Sequence, residues 1–261
     1  MKTGSKRITG NILLLTACLM PVVSISAETL NVAVASNFAY TLKLLSADFK
    51  KRTGHQLRIS SASTGKLYAQ IIHGAPFDIF LAADEQRPNL LLKENKAERS
   101  TDIVYAKGQI VLISNIKPTK INDSDVVCKD ILASTELKRL SIANPKTAPY
   151  GLAAKQVMQK LNLWQRLQPR LVKGENIAQT LQFVSTQNAE AGFVAKSMLA
   201  MNKNIGYACL WDIPTKMYTP IKQKMVVLKK ARDKSSAQDF LKYIQSNKAK
   251  EIIRSAGYDV L

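Results

Sequence analysis

The sequence predicts an α/β protein that is divided into two lobes. Short runs of β-branched and other apolar residues alternate with stretches whose apolar residues recur at helical spacing, a pattern typical of mostly parallel sheets covered by helices. The alternation ends near Ile113 and starts again at Leu140, which indicates two such units. Because ligands of α/β proteins bind at the carboxyl ends of strands, we expect a ligand cleft between the lobes.

Each unit has its own series of predicted elements. The first contains strands at 30–35, 57–60, 77–82 and 109–114, and helices at 38–52, 65–73 and 88–94. The second contains strands at 140–143, 170–172 and 191–194, and helices at 152–161 and 177–186. A last strand at 220–228 and helices at 236–246 and 249–255 complete the chain. Spacing alone does not assign these last elements to either lobe.

The first 27 residues have the features of a secretory signal peptide. Lys2, Lys6 and Arg7 precede an apolar stretch, and small residues gather just before Glu28. We therefore expect export, with cleavage near residue 27. The alternative is a lipoprotein in which Cys18 becomes the acylated N-terminus, although the residues after Cys18 are more apolar than is usual for such a tether.

The expected mature chain, residues 28–261, can bury a substantial core, and it has no further stretch apolar enough to span a bilayer. The formal net charge is +19, and +16 once the three basic residues of the signal peptide are removed. The lysines are scattered and no aromatic residues interleave with them, so we predict a solvated basic surface and no nucleic-acid partner. We expect a monomer.

Candidate catalytic and metal-binding residues are few. The two histidines, His55 and His73, have no Ser–Asp pair near them in sequence, so we predict that the protein is not an enzyme. No set of His or Cys ligands accompanies the acidic residues, so we predict neither a cofactor nor a cation site. The sequence leaves open whether Cys128 and Cys209 form a disulfide or remain buried thiols.

Four strand-to-helix turns carry the most informative residues. They contain Ser36-Asn37, residues 61–65, residues 147–151 and residues 174–177. Each turn opens a helix, whose first backbone N–H groups lack partners and whose dipole is positive at this end. Taken singly, Ser, Thr and Asn at such positions are ordinary helix caps. Four such turns together favour an anion site that needs no cation.

Short motifs follow one another in a characteristic order along the chain: Ala35-Ser36-Asn37-Phe38 and residues 60–65, 74–80, 82–84, 144–145, 148–152, 174–177, 192–194 and 256–258. This order resembles that of the periplasmic molybdate-binding proteins of ABC importers. The resemblance implies a type II periplasmic-binding-protein fold, with one lobe formed by 28–112 and 211–261 and the other by 113–210. It also implies capture of molybdate or tungstate for a membrane permease.

The resemblance further implies a ligand set made only of neutral hydrogen-bond donors. The set is Ser36, Asn37, Ser63, Thr64, Tyr150 and Ile177. Tyr150 and Ile177 would contribute backbone N–H groups, and the Tyr150 hydroxyl is a further candidate. Some members carry one more tyrosine where this chain has Ala195, which leaves the number of donors open. Sulfate, phosphate or another small anion is the alternative ligand.

Overall fold

A computed structural model describes residues 27–117, 128–202 and 204–260, together with Met1. Almost all of the predicted signal peptide, including Cys18, therefore lies outside the described residues. Within the described ranges, no helix combines the length and the apolar character that a membrane span requires.

The described residues contain ten strands in two sheets. The strands are β1 (Thr29–Ala35), β2 (Gln56–Ala62), β3 (Ile79–Leu81), β4 (Ile103–Gly108), β5 (Ile110–Ser114), β6 (Leu140–Ala143), β7 (Leu171–Gly174), β8 (Ala191–Ala195), β9 (Cys209–Asp212) and β10 (Ile221–Val227). The first sheet has the order β2-β1-β3-β10-β4 and the second the order β7-β6-β8-β5-β9. Each sheet has three parallel strands, followed by two that pair antiparallel.

Nine α-helices cover the sheets in the described ranges. They are α1 (Ala39–Thr53), α2 (Thr64–Ile72), α3 (Gln86–Lys93), α4 (Pro149–Lys160), α5 (Trp164–Leu167), α6 (Ile177–Ser185), α7 (Lys196–Met201), α8 (Lys234–Ile244) and α9 (Asn247–Ser255). α1 buries Leu42, Leu45 and Phe49 as its spacing predicts, and it ends at Gly54, whose φ of 79° is easily adopted only by glycine. The prediction of a two-lobed α/β protein is confirmed.

The chain crosses between the two sheets twice. The first crossing lies between Gly108 and Ile110, and the second between Asp212 and Ile221. The boundaries drawn from the sequence, 112/113 and 210/211, each fall inside a strand of the second sheet. Two of the ten strands, β4 and β9, were not predicted. Their sequences contain lysine, glycine or aspartate beside the apolar residues, so neither has a simple period of two.

Each lobe has an apolar core on both faces of its sheet. In the first lobe, α1, α8 and α9 cover one face, with Phe49 and Phe240 in edge-to-face contact at a centroid distance of 5.2 Å. α2 and α3 cover the other face. In the second lobe, α4 packs on one face of the sheet and α6 on the other. The sheets thus hold fixed the loops at the carboxyl ends of their parallel strands.

Cys128 and Cys209 form a disulfide, which answers the question that the sequence left open. The bond joins a 3₁₀ turn, Cys128–Ala133, to β9 at the edge of the second sheet, with a sequence separation of 81 residues. Closing so long a loop reduces the conformational entropy of the unfolded chain.

We expect the double substitution Cys128→Ala and Cys209→Ala to lower the free energy of unfolding by about 2–4 kcal/mol. Urea unfolding of the oxidised wild type and of the variant measures this difference. Wild type unfolded in the presence of a reductant is the matched control and should behave like the variant. Equal stability of all three samples would contradict the prediction.

Candidate functional site

A small cavity lies between the lobes, at the carboxyl ends of the parallel strands. The space between its lining atoms is about 190 Å³, part of which is open to solvent. All six residues that were proposed from the sequence line it. The lining is Ala35, Ser36, Asn37, Ala62, Ser63, Thr64, Ala83, Ala148, Pro149, Tyr150 and Ile177. The structure therefore brings together turns from four distant parts of the chain.

Four helices begin at this cavity: α1, α2, α4 and α6. Several backbone N–H groups in their first turns or the preceding loops make no hydrogen bond to any described residue. These belong to Asn37, Ser63, Thr64, Tyr150 and Ile177. Unpaired donors at helix starts and the positive ends of the helix dipoles favour an anion.

The first turn holds Ser36 and Asn37 between β1 and α1. The Ser36 hydroxyl has no hydrogen-bond partner among the described residues. The Asn37 side chain is different: its Nδ2 donates to Gln223 Oε1 at 2.8 Å and lies 3.0 Å from the Tyr258 hydroxyl. That hydroxyl donates to the Asn37 carbonyl oxygen at 2.7 Å. Asn37 thus presents its backbone N–H to the cavity, while its amide is held inside the first lobe.

The second turn holds Ser63 and Thr64, which are 5 % and 1 % exposed. The Ser63 hydroxyl does not cap α2, so it is available to a ligand. Thr64 Oγ1 accepts a hydrogen bond from the backbone N–H of Ala83 at 3.1 Å. This bond fixes the Thr64 side chain and leaves its hydroxyl proton free to be donated.

Tyr150 lies in the first turn of α4, directly after Pro149, and is almost fully buried. Its backbone N–H has no partner in the described chain, because the helix starts only one residue earlier. The Tyr150 hydroxyl reaches the first lobe, where it accepts a hydrogen bond from Gln223 Nε2 at 3.3 Å. Burial raises the pKa of this hydroxyl well above its ordinary value, so the side chain is neutral.

Ile177 is the first residue of α6. The preceding residue, Asn176, caps the helix by accepting hydrogen bonds from the N–H groups of Ala178 and Gln179 at 2.9 and 3.1 Å. The cap satisfies the second and third residues of the helix and leaves the N–H of Ile177 unpaired. In this turn the side chain that caps the helix, Asn176, is thus directly followed by the unpaired backbone N–H of Ile177.

No charged side chain lines the cavity in the described part of the chain. Two of the charged residues near the lining in sequence are paired with carboxylates: Lys66 bonds Glu175 at 3.0 Å, and Arg87 pairs with Asp84. Ala195, which stands where some similar proteins have a tyrosine, is buried at the end of β8 and is not part of the lining. The site consists of neutral dipoles.

The two lobes are in contact across the cavity. The Gly65 N–H donates to the Thr147 carbonyl oxygen at 2.8 Å, and the Lys66–Glu175 pair also joins the lobes. Arg87 donates to the carbonyl oxygen of Lys146 at 3.3 Å. These contacts, together with the burial of the lining residues, describe a closed cleft.

Other polar groups have structural roles. His55 is buried and accepts a hydrogen bond from the N–H of Glu28 at 3.1 Å. Asp78 accepts hydrogen bonds from the N–H groups of Asn31 and Arg232 at 2.6 and 2.9 Å. Within the described ranges, no group of three or more His, Cys, Asp or Glu residues could hold a metal ion. Gln223, which supports the first turn, was not identified from the sequence because nothing local marks it. Tyr258 lies in the motif 256–258, but the sequence does not show that its hydroxyl contacts Asn37.

Two lobes joined by crossing strands, with a small cavity of hydrogen-bond donors between them, define a class: the two-lobed solute-binding proteins. The chain belongs to the bacterial extracellular solute-binding proteins, whose family model matches residues 30–259. It is therefore a non-enzymatic transport component that works outside the cytoplasm.

The chain is similar to molybdate-binding proteins over most of its length. The molybdate-binding protein ModA of Azotobacter vinelandii is 43 % identical over 232 residues, which are 89 % of this chain and 90 % of that protein. The ModA of Rhodobacter capsulatus is 41 % identical over 226 residues, 87 % and 86 % of the two chains. The structure of the Azotobacter vinelandii periplasmic molybdate-binding protein matches with a TM-score of 0.81 at 35 % identity, covering 89 % of this chain and 99 % of the other.

Proposed function

We propose that this protein captures molybdate, or tungstate, and delivers it to an ABC importer in the membrane. The observation that carries the proposal is the cavity of about 190 Å³, which is lined by unpaired backbone N–H groups and hydroxyls from four helix starts. Similarity to molybdate-binding proteins over most of the chain supports the choice of anion.

The ligand-binding residues are Ser36, Asn37, Ser63, Thr64, Tyr150 and Ile177. Asn37, Ser63, Thr64, Tyr150 and Ile177 donate backbone N–H groups, and Ser36, Ser63 and Thr64 add hydroxyls. Hydrogen bonds to a charged group contribute roughly 1.5–3 kcal/mol each, so several of them suffice for micromolar binding or better after the costs of association. Neutral donors avoid the cost of desolvating a cation when the cleft closes.

The size of the cavity selects among tetrahedral dianions. Sulfate and phosphate have the same shape as molybdate but shorter bonds, so they would not contact donors of both lobes at once in a closed cleft. Phosphate also carries protons at neutral pH, and the backbone N–H groups of the site offer them no acceptor. A sulfate- or phosphate-binding protein of the same fold is the second candidate.

The partner is the permease of an ABC importer, which would bind the loaded, closed form. The anion contacts donors of both lobes only in the closed form. Binding therefore shifts the protein toward closure, which is the form that the permease recognises. We place the mature protein in the periplasm as a monomer, with anchoring through an acylated Cys18 as the alternative.

Calorimetric titration with molybdate, tungstate, sulfate and phosphate tests the proposed function. We expect dissociation constants of about 1 μM or less for molybdate and tungstate, and binding at least 100-fold weaker for sulfate and phosphate. Tight binding of sulfate without binding of molybdate would favour the second candidate.

Substitution at the second turn supplies the matched control for this titration. Ser63→Ala removes a hydroxyl that has no partner within the described protein and should weaken molybdate binding by about tenfold or more. Ser61→Ala, at an exposed position two residues earlier in β2, should leave affinity unchanged. Both variants should unfold within about 0.5 kcal/mol of wild type.

Gly65→Ala tests the contact that closes the cleft. A Cβ atom at Gly65 would lie 3.0 Å from both the Cα atom and the carbonyl oxygen of Thr147, so it opposes closure. We expect a several-fold faster release of molybdate, measured by stopped flow, while the ligand-free protein is as stable as wild type or more stable. Gly206→Ala, where the added atom meets no atom of the described residues within 4 Å, is the control. Equal release rates in the two variants would contradict this role for Gly65.

Binding should not depend on pH between about 6 and 9. Among the described residues, Tyr150 is the only titratable side chain in the lining, and burial raises the pKa of its hydroxyl, so the folded protein keeps it neutral throughout this range. Titration of molybdate at several pH values measures the dependence. A loss of affinity on passing upward through pH 6–7 would indicate a protonated histidine at the site and would contradict the neutral set of donors.

A further inference from the structure

Gln223 is a polar side chain at the centre of a buried network outside the anion cavity. It is 0 % exposed. Its Oε1 lies 2.8 Å from Asn37 Nδ2 and 3.2 Å from the Tyr105 hydroxyl, and its Nε2 lies 3.3 Å from the Tyr150 hydroxyl. A buried amide is stable only with such partners, so the orientation of Gln223 is fixed by residues of both lobes.

The network joins the cavity to the strands that cross between the lobes. Gln223 lies on β10, two residues after the strand begins and the chain re-enters the first sheet. The pairing of β10 with β4 shifts register between Gln223 and Lys224. Such an irregularity re-aims side chains. Here the Gln223 side chain contacts Asn37 in its own lobe and Tyr150 in the other.

Gly108, the last residue of β4, makes room for this contact. A Cβ atom at Gly108 would lie 2.0 Å from the Tyr150 hydroxyl and 2.8 Å from Gln223 Nε2. Any side chain here would displace the tyrosine or the amide. The Tyr150 hydroxyl, which belongs to the second lobe, therefore packs against the backbone of Gly108, where the chain leaves the first lobe.

The polar contacts of Gln223 differ in what they join. Those with Asn37 and Tyr105 lie within the first lobe, since Tyr105 is on β4 and also reaches the Ala82 carbonyl oxygen at 3.0 Å. The contact with Tyr150 crosses between the lobes, so rotation of the lobes away from each other breaks or lengthens it. Both Asn37 and Tyr150 also present backbone N–H groups to the cavity.

We propose that Gln223 is a positioning residue for the oxyanion site: its amide holds Asn37 and Tyr150 together only when the lobes are closed. Anion binding and closure are then coupled through the Tyr150 hydroxyl, which acts on Gln223 and not on the anion. The inference rests on the proposed function, because it concerns the same site.

Tyr150→Phe removes the contact between the Tyr150 hydroxyl and Gln223 but keeps the backbone N–H of residue 150. We expect release of the anion to be about five- to tenfold faster, with an association rate near that of wild type, because the contact forms only on closure. Tyr105→Phe is the matched control: it removes a buried hydroxyl from the same amide, within one lobe, and should leave the release rate within about twofold of wild type.

Gln223→Met separates positioning from direct binding. If the hydroxyl acts through Gln223, Tyr150→Phe should add nothing to the release rate in the Gln223→Met background. An undiminished effect of Tyr150→Phe in that background would show that the hydroxyl binds the anion itself and would overturn the inference. So would equal release rates for Tyr150→Phe and Tyr105→Phe.

Gly108→Ala gives a second measurement that does not require the Gln223 variant to fold. The added methyl group should speed release in wild type. It should have a smaller effect in Tyr150→Phe, where the oxygen that it would strike is gone. An equal effect in both backgrounds would count against the contact. Each comparison uses whichever of the four oxyanions wild type binds most tightly, so a wrong choice of anion would contradict the proposed function without affecting this inference.

Discussion

Unpaired backbone N–H groups at four helix starts are the constraint on which the site depends. A buried donor without an acceptor costs about 1–3 kcal/mol, and five such groups face one small cavity in the described structure. Each lobe supplies part of the set, so in the open cleft these groups can be hydrated, whereas closure without a ligand would strand them. A dianion in the cavity supplies acceptors to both lobes at once. Under the proposed function, the same groups bind the ligand and oppose closure in its absence.

The absence of charged side chains from the cavity among the described residues affects which anions the site selects. Lys66 and Arg87 lie close in sequence to lining residues, yet each pairs with a carboxylate instead of entering the site. A cation in the cavity would attract any anion through a long-range field, with little dependence on size. Hydrogen bonds weaken steeply with distance and angle, so fixed dipoles reject an anion of the wrong radius. The basic surface remains free to steer anions weakly from solution.

The sequence predicts what is local and fails where partners are distant. Helix starts, the glycine end of α1 and the four polar turns have short-range signals, and the structure brings those turns together. β4 and β9 lack a regular pattern, and the crossings come several residues from the predicted boundaries because pairing, not composition, decides which sheet a strand joins. The role of Gln223 could not be predicted from the sequence either, because its contact with Asn37 joins residues that are 186 positions apart. The sequence likewise places Tyr150 at the site without revealing that its hydroxyl contacts the opposite lobe.

The two lobes repeat one strand order, with three parallel strands followed by two antiparallel strands, and the chain crosses between the lobes through these antiparallel strands. This repetition places corresponding helix starts of the two lobes on facing sides of the cleft, so that neither lobe alone surrounds the anion. It also places the crossing strands beside the cavity, where Gly108 and Gln223 contact Tyr150. A small rotation at the crossing is then enough to separate the donors of one lobe from those of the other. The crossing strands thus connect the lobes, and in the proposed role of Gln223 its contacts with Asn37 and Tyr150 link the arrangement of the turns to closure.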